Sequence, residues 1–287
     1  MTGDPFVTHR SLLFTVAYEM LGSAADAEDV VQETWLRWAD VDQAEVHNPR
    51  AYLVRTVTRQ ALNRLRTESR RREEYVGEWL PEPLLTNPDV ADDVELAENV
   101  SIAMLTVLET LGPVERAVFV LHEVFETPYQ EIAEVVGKTP AAVRQIAHRA
   151  REHVGARRPR MRVDRDQQQV VVEKFLDAVS TGDVGALVEV LAPDVVAIAD
   201  GGGLAAAARK PIVGAERVAA FLSRVATLPE FVTTTTWLNG MPGIRIDVGG
   251  EATAVSLAVE DGRIVRIYAI RNPHKLGSLD KVADLRR

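Results

Sequence analysis

The chain has 287 residues, 46% of them hydrophobic and 26% charged, which is room for two or three small globular domains. It contains no cysteine, so disulfides and thiolate metal sites are excluded, and a reducing cytoplasm fits. A formal net charge of -9 argues against a free-standing duplex binder. The N-terminus lacks a secretion signal, and no apolar run approaches the ~20 residues of a membrane span.

Residues from about 6 to 72 read as helices. Leu12, Leu13, Val16, Ala17, Met20 and Leu21 recur at helical spacing and stop at Gly22. Ser23 caps the next helix, whose Asp26, Glu28 and Asp29 suit its positive N-terminal end. Val30, Val31, Trp35 and Trp38 continue its apolar stripe. After the Asn48-Pro49 turn comes a long basic helix with Leu53, Val57, Ala61 and Leu65 on its apolar side.

Residues 73–98 are acidic and broken by Pro81, Pro83 and Pro88, which reads as a linker. Trp79, Leu80, Leu84 and Leu85 are too apolar for a solvated one and are expected to dock.

Residues 99–158 are helical again. A helix over Val114 to His122 follows Gly112-Pro113. Thr127-Pro128 and Thr139-Pro140 each read as a cap with proline at the first helical position. Ile132, Ala133 and Val136 face inward from the first of these helices. Val143, Ile146, Ala147, Ala150 and Val154 do so from the second.

From about residue 166 the character changes. A helix reaches Thr181-Gly182-Asp183, and a second ends near Ala192-Pro193. A strand from Val195 to Ala199 stops at Asp200-Gly201-Gly202-Gly203. Gly214 to Arg224 is helical. Strands follow over Phe231 to Leu238, Ile244 to Val248, Ala252 to Val259 and Arg263 to Ile270, with Asp261-Gly262 as a hairpin turn. Helices followed by a meander point to a curved α+β sheet folded round helices.

Two basic segments stand out on the acidic chain. Arg50, Arg55, Arg59, Arg64, Arg66, Arg70, Arg71 and Arg72 share a stretch whose only acid is Glu68. Arg144, Arg149, Arg151, Arg157, Arg158 and Arg160 stand against Glu152. The capped pair over Thr127 to Val154 has helix-turn-helix geometry. Arg144, Gln145, His148, Arg149 and Arg151 lie off the apolar stripe, where Arg and Gln suit base edges and phosphates. The first basic helix can track phosphates. The Asp26–Trp35 helix shows an acidic and amide face suited to a basic partner. For each, the plain alternative is a solvated charged face.

The stretches GSAADAEDVVQETWLRW and NPRAYLVRTVTRQALNRLR resemble region 2 of the extracytoplasmic-function sigma factors. LGPVERAVFVLHEVFETPYQEIAEVVGKTPAAVRQIAHRAR resembles their region 4. The resemblance covers most of residues 6–158 in the family's order. It implies two all-α domains, region 2 over 1–72 and region 4 over 99–160, on either side of the 73–98 linker. It implies that Asp26, Glu28, Asp29, Gln32 and Glu33 bind the polymerase β′ clamp helices, and that the polymerase β flap is a second contact. It implies that Arg55, Arg59, Asn63, Arg64 and Arg66 hold the melted −10 element. Thr139, Arg144, Gln145, His148, Arg149 and Arg151 would read the −35 element. Arg59 stands where many members carry Asn, and Asn63 where Asp is common, so the −10 preference is not copied from them. The acidic total then has an account, because the polymerase core presents the basic patches to promoter DNA.

Residues 161–287 resemble the SnoaL-like branch of the cone-shaped α+β fold, which a sigma subgroup carries as a fused domain. Trp79-Leu80-Pro81-Glu82-Pro83-Leu84, Asp200-Gly201-Gly202-Gly203 and Asn272-Pro273-His274-Lys275-Leu276 resemble its motifs. His274 departs from the usual Asp. The resemblance implies a regulator in contact with the sigma domains through Trp79, Leu80, Asp200, Gly201, Gly202, Asn272, Pro273, His274, Lys275 and Leu276. The cone fold also admits an unidentified small ligand. Asp200, Arg263, Tyr268 and His274 show no spacing that pairs a catalytic acid with a base, so no enzyme, cofactor or metal is expected. Two alternatives stay open: a one-component helix-turn-helix regulator with a ligand-sensing domain, and a DNA-tethered isomerase or cyclase.

Overall fold

A computed structural model describes residues 4–72, 74–158 and 165–287. In chain order the helices and strands are α1 (Pro5–Leu21), α2 (Ala24–Ala39), α3 (Pro49–Arg72), α4 (Val94–Val100), α5 (Ile102–Leu108), α6 (Pro113–Phe119), α7 (Tyr129–Val136), α8 (Pro140–Arg157), α9 (Arg165–Thr181), α10 (Val184–Val190), β1 (Leu191–Asp200), β2 (Ile212–Val213), α11 (Ala215–Val225), β3 (Val232–Leu238), β4 (Met241–Val248), β5 (Glu251–Glu260) and β6 (Arg263–Ile270). They form two compact units that do not follow chain order. One holds Met1–Glu74, Val107–Arg157 and Asp284–Arg287; the other holds Tyr75–Thr106 and Arg158–Ala283.

In the first unit, Asp4 caps α1 and Gly22 ends it in the left-handed conformation at φ 67°. Ser23 then caps α2 by accepting from the Asp26 amide at 3.2 Å. α1 is buried on every side from Leu12 to Leu21, polar residues included, because α2, α3 and the turn after α6 all pack on it. The C-terminal residues join this unit. Ser11 donates to Asp284 at 2.6 Å, the Arg286 amide donates to Thr15 at 3.0 Å, and Leu285 is buried.

Two expected boundaries move in this unit. α6 passes at Phe119 directly into a π-helical turn over Val120–Val124, so the helical run expected to end at His122 continues just past it. Pro128 sits at the cap of α7, one place earlier in helix numbering than expected, so Thr127 is not the cap. Thr139 does cap α8, accepting from the Ala142 amide at 3.2 Å.

In the second unit a six-stranded sheet runs β2-β1-β6-β5-β4-β3, with β1 parallel to β6 and its other pairs antiparallel. β1 begins at Leu191, earlier than expected, because its pairing with Ile264 of β6 draws Leu191 and Pro193 into the strand. One sheet face packs on α9, α10 and α11 through Val172, Phe175, Leu187, Val218 and Ala219. The opposite face is covered by Leu80, Ile102 and Ala103, with Leu238, Ala254, Ala258, Tyr268, Ile270 and Leu279. The apolar part of the linker therefore docks in the concave side of an α+β cone. β5 alternates between these two cores, Val255 and Leu257 toward the helices and Ala254 and Ala258 toward the linker.

Candidate nucleic-acid interface and linker clamp

The helix-turn-helix is formed by α7 and α8. Gly137, left-handed at φ 68°, closes α7 by donating to the Ala133 carbonyl. Val143, Ile146, Ala147, Ala150 and Val154 bury one stripe of α8. Arg144, Gln145, His148, Arg149 and Arg151 are all exposed on the remainder. They differ in freedom. Arg151 is held by Glu123 at 3.1 Å and by the Tyr129 hydroxyl at 3.5 Å, and His148 faces Glu152 at 3.3 Å.

The α3 residues singled out in the sequence are held inside the first unit. Arg55 pairs with the Glu134 carboxylate at 3.3 Å, and Arg59 donates to the Glu134 carbonyl at 3.0 Å. Arg64 donates to Asp26 at 2.9 Å and to Asp29 at 3.0 Å. The Asp26 hydrogen bonds hold its guanidinium protonated, above the usual arginine range. Asn63 and Arg66 are exposed.

α2 carries two polar faces. Asp26, Asp29 and Glu33 turn toward Arg64 and Gln60 of α3, with Gln60 donating to Glu33 at 2.9 Å. Glu28, Gln32, Trp35 and Leu36 turn outward. Glu28 meets Arg10 at 2.6 Å. Trp38 is buried as its stripe requires, but Trp35 is 45% exposed and Leu36 54% exposed. Trp35 is therefore not a core residue. Its place on the wheel, off the line of Ala27, Val31, Thr34 and Trp38, was the signal for this.

The second unit brings most of the remaining candidates together around Asp200, which is fully buried. One carboxylate oxygen accepts from the Tyr75 hydroxyl at 2.6 Å and the Gly202 amide at 3.0 Å. The other accepts from the Leu80 amide at 2.9 Å and Lys275 Nζ at 2.7 Å. Lys275 also donates to the Leu80 carbonyl at 2.6 Å and stands 4.0 Å from the Trp79 ring centroid. Asn272 donates to the Tyr75 hydroxyl at 2.7 Å. Burial and the bond to Asp200 push the Tyr75 hydroxyl well above the usual phenol range. Gly202 has φ 58°, and a Cβ there would fall 2.3 Å from the Asn272 amide nitrogen, so only glycine fits. Gly201 closes the turn by accepting from the Leu204 and Ala205 amides.

Leu276 packs against the concave core. Pro273 and His274 are exposed, and only the His274 amide takes part, donating to Asn272 at 3.0 Å. Tyr75 belongs to the cluster and had no periodic signal, since it lies in irregular chain and is defined by tertiary contact. The suggested acid–base candidates do not assemble. Arg263 and His274 are exposed, Asp200 is saturated by donors, and burial pushes Tyr268 up to about 12.

The family model described as Sigma-70 region 2 matches residues 6–71, and that described as Sigma-70, region 4 matches residues 101–154. The ECF RNA polymerase sigma factor SigJ of Mycobacterium tuberculosis is 37% identical over 96% of this chain and 93% of its own. The probable ECF RNA polymerase sigma factor SigI of that organism is 35% identical over 94% of this chain and 93% of its own. This chain belongs to the extracytoplasmic-function sigma factors.

The crystal structure of the SigJ protein matches this sigma factor with a TM-score of 0.78 and 34% identity, covering 95% of this chain and 97% of that one. The C-terminal α+β domain is thus shared along with the sigma regions. Sigma factors bind RNA polymerase core and promoter DNA to start transcription and are not enzymes, which removes the tethered isomerase from consideration. Among the described residues no helix is long and apolar enough to cross a membrane.

Proposed function

We propose that this sigma factor docks on core polymerase through the outward face of α2, with Glu28, Gln32, Trp35 and Leu36 against the β′ clamp helices. The α2 residues facing α3 (Asp26, Asp29 and Glu33) then set the angle of the basic helix. Region 4 meets the β flap. Arg55, Arg59, Asn63, Arg64 and Arg66 hold the melted −10 strand, and Arg144, Gln145, His148 and Arg149 read the −35 element while Arg151 braces the helix. The site of action is the cytoplasm, with the polymerase.

The C-terminal domain acts as the chain's own regulator by holding the linker that joins the two promoter-binding regions. The observation that carries this is the buried Asp200 carboxylate, which takes donors from Tyr75 and Leu80 of the linker as well as from Lys275. A buried charge is retained only when it is fully paired, so linker and cluster form or break together. A small ligand entering the cone must displace Leu80 and Ile102.

The test is run-off transcription on a genomic library with core polymerase, comparing the full chain with Asp200→Asn and Lys275→Gln. Both variants should change promoter output in the same direction. Output equal to the parent from both removes the regulatory reading.

A further inference from the structure

The docked linker segment is Leu80-Pro81-Glu82-Pro83-Leu84, and all of it is buried. Proline has no amide hydrogen, so Pro81 and Pro83 need no acceptor. The amides of Leu80, Glu82 and Leu84 remain as donors that must be satisfied in a buried setting. Leu80 is served by Asp200. Leu84 is served elsewhere, by Asn239 at the tip between β3 and β4, 2.9 Å away.

Asn239 has no solvent exposure and a left-handed backbone at φ 54°. Its main-chain amide returns a bond to the Leu84 carbonyl at 2.9 Å, so both polar groups of that peptide face are read by one residue. Its side-chain amide donates to the Val100 carbonyl at 2.8 Å, at the end of α4. Gly240 follows, at φ 72°, and donates to Thr86 Oγ1 at 2.9 Å. The Thr86 amide donates to the Trp237 carbonyl at 2.9 Å, and Leu85 bridges Leu238 at the sheet edge. A Cβ on Gly240 would lie 2.9 Å from both Cα and Cβ of Ala97, so α4 sits on the tip with no room for a side chain.

We infer that the Asn239-Gly240 tip is a second receptor for the linker, separate from the Asp200 cluster, and that it recognises main-chain groups of Leu84 and Val100 and the side-chain hydroxyl of Thr86. This rests on the reading that linker docking regulates the sigma factor, and it adds a second point of hold. Leu80 and Leu84 are roughly 13 Å apart in extended chain, which fixes the register of the segment between the two acceptors. Asp200 senses the start of the segment through charge. Asn239 senses its end through neutral hydrogen bonds and ties it to the helix entering region 4.

The experiment is amide hydrogen exchange by mass spectrometry on the full chain, comparing the parent with Asn239→Gly, Thr86→Val and Asp200→Asn. Asn239→Gly keeps the left-handed turn and removes only the side-chain bonds. It should raise exchange about tenfold or more over residues 83–86 and 97–103, with the β5 peptide unchanged. Asp200→Asn should raise exchange mainly over 75–80. Thr86→Val changes the linker side of the contact and should loosen 83–86 if the turn variant folds poorly. Parent-like exchange over 83–86 in both Asn239→Gly and Thr86→Val overturns the second receptor, whatever Asp200→Asn does to transcription. Raised exchange there establishes it, even where transcription is indifferent to Asp200.

Discussion

Glu19 on α1 is fully buried, and neither of its carboxylate oxygens has a hydrogen-bond partner among the described residues. Arg116 lies beside it but donates Nε to the Glu19 main-chain carbonyl at 3.0 Å and pairs its Nη1 with Glu109. Burial raises the Glu19 carboxyl to about 8 against a weaker opposing pull from Arg116. The acid is therefore neutral at pH 7 in the folded chain, and its ordinary value of 4.5 applies when unfolded. A raised folded value means that the stability it contributes is complete below 4.5 and is lost as pH rises through about 8. Glu19→Gln mimics the neutral acid and should remove this loss. The stability gap between variant and parent should widen by about 1.4 kcal/mol per pH unit at most within that window. Urea unfolding at pH 5.5 and 8.5 reads it, and a gap independent of pH contradicts the neutral carboxyl. The sequence placed Glu19 on a helix but offered no sign of burial. α1 reads as amphipathic and becomes buried all round only when region 4 residues pack against it.

At the scale of elements, α3 is engaged by α7 through Arg55 and Arg59 on Glu134. By their names the −10 and −35 elements lie roughly 25 base pairs apart, or about 85 Å along duplex DNA at 3.4 Å per step. A helix of the length of α3 spans only about 36 Å. On the proposed assignment of α3 to the −10 element and α8 to the −35 element, with α7 and α8 packed together and α7 on α3, the two surfaces do not reach both elements, and α3 and α7 are expected to part when the promoter is bound. Glu134→Gln weakens the hold of α7 on Arg55. Because both partners are substantially exposed, the expected gain is small, about 2- to 5-fold tighter binding of a −10 single strand by the free chain. Fluorescence anisotropy at fixed salt measures it, and unchanged binding means that this pair does not mask α3. Local turn chemistry made most elements legible: Gly22-Ser23, Gly137 with Thr139, and Asp261-Gly262 each mark a boundary that the fold keeps. Asn239-Gly240 and Gly249-Gly250 carry the same kind of hairpin signal and lie outside the turns expected from sequence. The early start of β1 and the π-type turn after α6 had no local signal, since each depends on partners distant in sequence.

For the whole molecule, the apolar linker residues were legible as a segment that must dock, but their receptor was not, because it exists only once the sheet is closed. Tyr75–Thr106 fold as part of the C-terminal unit, with Leu80, Ile102 and Ala103 in its concave core. The cut suggested by sequence alone, near residue 160, therefore divides a core. A fragment of residues 1–160 keeps both promoter-binding regions and loses the surface that buries this apolar segment. Exposed apolar patches of that kind promote association and invite proteolysis. The fragment should bind an apolar dye more strongly than the full chain and be cleaved first between residues 75 and 106 under limited trypsin or chymotrypsin. Its promoter output then reports a freed linker as well as a missing domain. Asp200→Asn in the full chain separates the two, since it loosens the same segment while the sheet remains. If the fragment resists cleavage in 75–106 as well as the full chain does, the linker has a second home on the sigma regions, and the cone is not its required partner.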